Sequence, residues 1–200
     1  MPSNYTDLKT MIAETLDRDD LEAQLDNFIR FAESRHRREI RIREMIKRAV
    51  APAEERYLSL PNGFLEMKTL RLLTDPVTAV QEVNLDVMNR TRIETEGKPR
   101  FYTVHSEIEF DRKPDREYTA EMIYYAALTP LSAENPTNAL LTRLPDVYLY
   151  GALIAAAPFL EHDERLAVWS QLYADAREQA NAMDRAKAGP LVARVYGATP

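Results

Sequence analysis

Residues 20–50 read DLEAQLDNFIRFAESRHRREIRIREMIKRAV, and how this stretch divides decides the fold. Leu21, Leu25, Phe28 and Ala32 recur at three- and four-residue steps, which puts them on one helical face. Ile42, Met45, Ile46 and Ala49 take the same steps after a charge-dense interval, Arg35 to Glu39. The spacing therefore predicts one long helix from Asp20 to Val50, closed by Pro52, which has no amide to continue the ladder. Upstream, Tyr5, Leu8, Ile12 and Leu16 mark a shorter helix, with Ser3 and Asn4 as candidate caps.

Downstream the period changes. Tyr102, Val104, Ile108 and Phe110 alternate with Thr103, His105, Glu107 and Glu109, which predicts a strand with one wet face. Arg112-Lys113-Pro114-Asp115 supplies a turn into a second strand, Tyr118 to Ala127. Pro61 and Gly63 mark another turn, between short strands at Tyr57–Leu60 and Leu65–Leu73, and Val83–Thr91 reads as a turn of helix. Helix then returns. Pro145 suits a first helical position and Asp146 complements the positive end of the helix dipole. A last helix begins near His162–Glu164, with the narrow seam Leu166, Trp169, Tyr173, Ala176, Ala180, Met183. The expected fold class is mainly α: a helical bundle core with an inserted small antiparallel β module (α+β). Residues 1–53 and 128–187 form the helical core in this reading, 54–127 the β module, and 188–200 an extended C-terminal tail.

Composition narrows the function. The chain has 200 residues, enough to bury a core, and 32 acidic against 26 basic residues, a net charge of −6. That balance argues against a general nucleic-acid binder, which needs an excess of cations to displace counterions from phosphates. No cysteine is present, which excludes disulfides, zinc-thiolate sites and thiol nucleophiles and suits a reducing cytoplasm. The N-terminal MPSNYTDLKT lacks the basic start and apolar stretch of a signal peptide. The longest apolar run, Val147 to Leu160, is shorter than the roughly 20 residues of a membrane-spanning helix, so no membrane partner is expected.

Candidate chemistry is sparse. The five glycines form neither a Walker loop nor G-x-G-x-x-G, and no cofactor is expected. His36, His105 and His162 lack metal-ligand spacing and read as surface or hydrogen-bonded histidines. Glu107, Glu109 and Asp111 share a strand row in which a glycosidase-like carboxylate pair is conceivable, but a polar face does not raise an acid's pKa, and a solvated face is the plainer reading. Arg30, Arg35, Arg37, Arg38, Arg41, Arg43, Lys47 and Arg48 face only Glu33, Glu39 and Glu44, so that stretch is basic. Contacts to DNA phosphates compete there with pairing against the acidic remainder of the chain, and the net charge favours the latter. Tyr124, Tyr125, Tyr148 and Tyr150 read as packing between sheet and helix.

A run of soft motifs carries a resemblance. Phe28-Ile29 with Ala32-Glu33 leads to Arg41-Ile42-Arg43-Glu44-Met45, and Gly97-Lys98-Pro99 with Tyr102 precedes the strands. Tyr124-Tyr125 is followed by Leu131-Ser132, Thr137-Asn138, Leu140-Leu141 and Pro145-Asp146. Tyr148-Leu149-Tyr150-Gly151-Ala152-Leu153, Ala156 and Phe159-Leu160 complete the order. Over residues 4–187 it resembles the head-to-tail adaptor family of short-tailed phages and prophages, least so at 74–96.

The resemblance implies a structural virion protein and no enzyme. It would form a ring of about a dozen copies beneath the portal protein, with unlike faces meeting between neighbours. The ring would extend the DNA channel without sequence-specific binding and hold tail or nozzle proteins, at the virion neck after assembly in the host cytoplasm. Arg37, Arg38, Arg41, Arg43, Tyr148, Tyr150, Gly151 and Ile154 are the candidate subunit-interface residues, and Leu191, Val192, Arg194, Val195 and Tyr196 the candidate portal-binding tail. Competing readings are a virion-associated peptidoglycan-degrading enzyme, which needs two carboxylates across a cleft, and a DNA-binding regulator, which needs a free basic helix.

Overall fold

A computed structural model describes residues 1–160 and 163–185. The chain divides into two compact units, one comprising residues 44–127 and the other residues 1–43 with those from 128 onward.

The helical unit holds α1 (Tyr5–Leu16), α2 (Leu25–Glu39), α4 (Ala139–Arg143), α5 (Pro145–Ala155) and α6 (Arg165–Arg185), and short 3-10 turns at Asp19–Gln24 and Ala157–Phe159. At the start of α1, the Asp7 amide donates to Asn4 Oδ1 at 2.9 Å, and the Asp7 carboxylate accepts from the Ser3 amide at 3.2 Å. Asn4 thus caps one orphan donor of the first turn, while the Asp7 side chain reaches back to the residue before the cap. Leu8, Ile12 and Leu16 are buried on one stripe, each contributing about 1.5–3 kcal/mol. α5 is buried on most of its circumference and packs against α1, α2, α4 and α6, so it is the axis of this unit.

The β unit holds β1 (Ile46–Ala53), β2 (Tyr57–Leu58), β3 (Phe64–Leu72), β4 (Thr78–Glu82), α3 (Leu85–Thr91), β5 (Phe101–Val104), β6 (Ile108–Phe110) and β7 (Tyr118–Ala126). They form one seven-stranded sheet in the order β1-β7-β3-β4-β5-β6-β2. All pairs are antiparallel except β4–β5, whose connection passes through α3. β1 and β2 stand at opposite ends of that order, yet only residues 54–56 join them. Four peptide steps reach at most about 14 Å, so the sheet curls almost closed. Tyr118, Ala120, Met122, Tyr124 and Ala126 of β7 point to its interior with Leu70, Leu72, Tyr102, Ile108 and Phe110. Gly63, at φ +71°, makes the turn before β3, with its carbonyl accepting from the Ala127 amide at 2.7 Å.

These elements correct the expected fold class. The chain is 44% helix and 22% strand, with a seven-stranded mixed sheet that has its own core, in place of a helical bundle core carrying a small antiparallel module. The long helix from Asp20 to Val50 does not exist as such. α2 stops at Glu39, Ile40 turns extended (φ −109°, ψ 132°), and residues 46–53 are strand β1. Ile40 and Ile42 are both buried two residues apart, as an extended chain places them, and Ala49, Ala51 and Ala53 alternate inward where β1 pairs with β7. The strand expected from Tyr102 to Phe110 is a hairpin, turned at His105-Ser106-Glu107, where the His105 amide donates to the Glu107 carbonyl at 3.0 Å. Of its presumed wet face, Thr103 and Glu109 are buried, and His105 alone is exposed, in the turn.

Candidate functional site

Gly151 of α5 faces side chains of both α2 and α6 at close range. A Cβ there would stand 3.0 Å from His36 Nε2, 3.2 Å from Ala32 Cβ and 3.4 Å from Tyr173 Cε2. His36 follows Phe28, Ile29 and Ala32 on the buried stripe of α2 and is 5% exposed. Its ring meets Tyr148 edge-on at 4.8 Å and stacks with Tyr173 at 6.1 Å. Nε2 donates to the Val147 carbonyl at 3.3 Å, which assigns the tautomer and leaves Nδ1 without a partner among the described residues. Burial pushes His36 down to about 4, so it is neutral at physiological pH.

Glu33, one turn before His36, accepts from the Leu131 amide at 2.7 Å and from Tyr148 Oη at 3.2 Å. Burial raises its pKa, and Tyr148 is raised too, first by burial and then by the Glu33 charge. Asn138 donates to Tyr148 Oη at 2.7 Å while its Oδ1 caps α4 at the Leu141 amide. At the end of α2, Glu39 takes Arg177 Nη1 at 3.0 Å and Tyr173 Oη at 3.4 Å. Asn181 donates to the Glu39 carbonyl and accepts from the Arg41 amide, both at 2.9 Å. This cluster has no free nucleophile. Its effect is mechanical: it fixes α2 and α6 against α5.

The held helices turn unlike faces to solvent. On α2, Arg30, Phe31, Ser34, Arg37 and Arg38 are exposed within one arc opposite the buried stripe, and Phe31 is 63% exposed. On α6, the seam Trp169, Tyr173, Ala176, Ala180 is buried, while Val168 (58% exposed), Leu172 (38%), Asp175 and Glu178 face outward. One face is basic with an apolar ring, the other acidic with an apolar pair.

In the β unit the three buried carboxylates, Glu109, Asp111 and Glu121, are committed to arginines. Asp111, wholly buried, accepts from the Arg100 and Phe101 amides at 2.9 and 3.3 Å and pairs with Arg112 at 3.2 Å and Arg100 at 3.5 Å. Glu109 pairs with Arg92 at 3.1 Å, with His105 Nε2 at 3.3 Å. Glu121 lies between Arg48 and Arg71, and the Arg48 hydrogen bond holds its carboxyl below the usual range. A glycosidase acid needs the opposite, a carboxyl raised by an apolar site.

The family model of the SU10 adaptor protein matches residues 3–194, across both units. The chain belongs to that family. It is a phage head-to-tail adaptor, a structural class of protein. Among curated proteins, nothing matches the chain.

The residues expected to matter in the adaptor are divided by the structure. Arg37, Arg38 and Arg43 are exposed, and Arg41 is half-buried with its Nη1 on the Arg37 and Ile40 carbonyls. Tyr150 and Ile154 are half-buried on α5, whereas Tyr148 and Gly151 are buried inside the unit, in the cluster around His36. The tail residues Leu191, Val192, Arg194, Val195 and Tyr196, and His162, lie outside the described residues. Sequence reasoning missed the outward pair Val168 and Leu172, because attention to the buried seam hides an i, i+4 apolar pair on the opposite face. Of the two readings of His36, surface or hydrogen-bonded, the second holds, through the Val147 carbonyl, and its place four residues after Ala32 puts it on the buried stripe. Among the described residues no helix is long and apolar enough to cross a membrane, and no cluster of potential ligands could hold a metal.

Proposed function

We propose that this adaptor is the repeating subunit of a ring that seats beneath the portal protein, continues the channel for DNA, and gives tail or nozzle proteins their platform. The observation that carries this reading is the extent of the family match, which runs through both units to Arg194 and so takes in the start of the apolar segment Leu191, Val192. That segment, with Arg194, Val195 and Tyr196, grips the portal by burying side chains that have no place in a solvated tail. The net charge of −6 suits a conduit, since a lumen that bound phosphates tightly would hold back the genome.

The test is the mass of the complex formed when purified protein is mixed with its cognate portal. A multi-copy assembly is expected, and deletion of residues 188–200 leaves a folded chain that no longer joins it. If the full chain stays a monomer beside the portal, the ring reading fails. If the deletion binds undiminished, the tail assignment fails alone. The free protein is also expected to show no salt-dependent affinity for duplex DNA; micromolar binding at physiological salt would contradict the conduit.

A further inference from the structure

The ring requires each copy to offer two different faces, and the helical unit carries two that fit each other. We infer that the outer face of α2 on one copy docks against the outer face of α6 on the next, with Phe31 seated on Val168 and Leu172 and with Arg37 and Arg38 against Asp175 and Glu178. This rests on the ring reading and goes further by naming the surfaces and their register.

Three features of the chain support the pairing. Phe31 at 63% exposure and Val168 at 58% are among the most exposed large apolar side chains of the molecule, and each stands on a charged helix face. Exposed apolar groups rimmed by charge mark protein contacts more than solvated surface. The charges have opposite sign. Two of the four have neutral, exchangeable partners: Arg38 donates to Ser34 Oγ at 3.0 Å and Asp175 accepts from Gln171 at 2.8 Å, whereas Arg37 feels Glu33 and Glu178 feels Arg177 on their own helices.

The spacing also agrees. From Phe31 to Arg37 or Arg38 is about 10 Å along α2, and from Leu172 to Glu178 about 9 Å along α6, at 1.5 Å per residue. Aligned parallel, the two helices bring the apolar pair onto the ring and both carboxylates onto both arginines. Antiparallel alignment carries the arginines toward the start of α6, where Asp163 is already paired with Arg165 at 2.7 Å. When each copy gives its α2 face to one neighbour and its α6 face to another, the contact is heterologous and propagates from copy to copy, into a ring where the rotation closes.

The absence of cysteine makes a clean test possible. In the portal-bound assembly, a chain carrying both F31C and L172C should oxidise to a ladder of covalent oligomers extending past the dimer. A chain carrying either one alone should not. Charge reversal provides the second arm. R37E/R38E and D175R/E178R, all at exposed positions, should fold normally by circular dichroism, and each alone should lower incorporation into the assembly about tenfold, since like charges then face each other. A mixture of the two should restore assembly, because alternating copies meet only in matched pairs. A ladder and rescue by mixing support the pairing. Dimers from F31C alone would show an α2–α2 contact and overturn it, as would a multi-copy complex in which neither the ladder nor the rescue occurs. Failure of the unmodified chain to form any complex would instead remove the ring reading.

Discussion

In the β unit a fully buried carboxylate, Asp111, keeps two arginines and two backbone amides on its oxygens. In the helical unit a nearly as buried imidazole, His36, has aromatic rings on two sides, one carbonyl, and an Nδ1 with no partner among the described residues. The first arrangement is electrostatic and places charges in fixed pairs around a curled sheet. The second is steric and keeps its imidazole neutral, so that helices can close on Gly151. An adaptor can use both: the paired charges hold a sheet rich in polar residues, while the packed cluster sets the angle at which α2 and α6 present their outer faces.

The largest expected effect comes from breaking the electrostatic side. Asp111→Ala leaves Arg112 and the part-buried Arg100 and Phe101 amides without their acceptor, and should cost about 3–5 kcal/mol. Urea denaturation followed by amide exchange in the β unit measures it; a loss below about 1 kcal/mol would show that water replaces the carboxylate and that the pairing is not structural. Trp169, the single tryptophan, lies in α6 and reports the helical unit separately.

The steric side should fail with acid. His36 is depressed from 6.5 to about 4, so below pH 6.5 the unfolded chain binds a proton that the folded one refuses. Stability present above pH 6.5 is therefore lost as pH falls toward 4, by about 3 kcal/mol at the end of that window. Glu33 works the other way: its raised pKa gives a contribution that is complete below 4.5 and disappears as pH rises through the folded value. His36→Gln should flatten the pH dependence of Trp169 unfolding, and Glu33→Gln should steepen it. The Glu121 contribution, held by arginines, stays intact until pH falls below 4.5, so the two units separate in the window between. Parallel softening of both units from pH 6.5 downward would remove the distinction.

Gly151→Ala sharpens the comparison from within the helix. Glycine inside a helix costs about 1 kcal/mol relative to alanine, so the exchange is usually stabilising. Here the new Cβ meets His36 Nε2 at 3.0 Å and Ala32 Cβ at 3.2 Å, and overpacking of this kind costs about 1–3 kcal/mol. The sign reverses, to a net loss of about 1 kcal/mol in urea. A gain would mean that α2 can yield at this point.

Much of the helical unit was legible because its periodic segments carry their own boundaries: Asn4 before Tyr5, Pro145 at the head of α5, the seam from Trp169 to Ala180 in α6. The turns at Gly63 and Pro114 and the strand from Tyr118 were legible for the same reason. Strand β1 was not. Its inward residues are Ala49, Ala51 and Ala53, the side chain that favours helix most, and Met45, Ile46 and Ala49 also satisfy a helical step. What makes it a strand is β7, which pairs with it from Ile46↔Tyr125 to Ala53↔Tyr118, some seventy residues away. β4 was missed likewise, since Thr78–Glu82 has too few apolar residues to show a period and is fixed by β3 and β5. The carboxylate row 107–111 misled for a related reason: alternation identifies two faces but not which is wet, and the arginines that allow Glu109 and Asp111 to be buried come from other segments, apart from Arg112.

The smallest effect concerns that same boundary. A chain of helix formers running from Arg35 into Ala49 does not end a helix by itself, and neither glycine nor proline stands near Glu39. Asn181 of α6 does it from outside, accepting from the Arg41 amide and donating to the Glu39 carbonyl, so the groups that a continuing helix would use internally are already engaged. Asn181→Ala should cost about 1 kcal/mol in global stability. The more telling readout is local: the Arg41 amide should lose protection from exchange while amides at the centre of α2, around Ile29 and Phe31, keep theirs. If Arg41 instead gains protection through a bond to Arg37, α2 has begun to lengthen beyond Ile40, and Asn181 is what stops the helix that the sequence alone would continue.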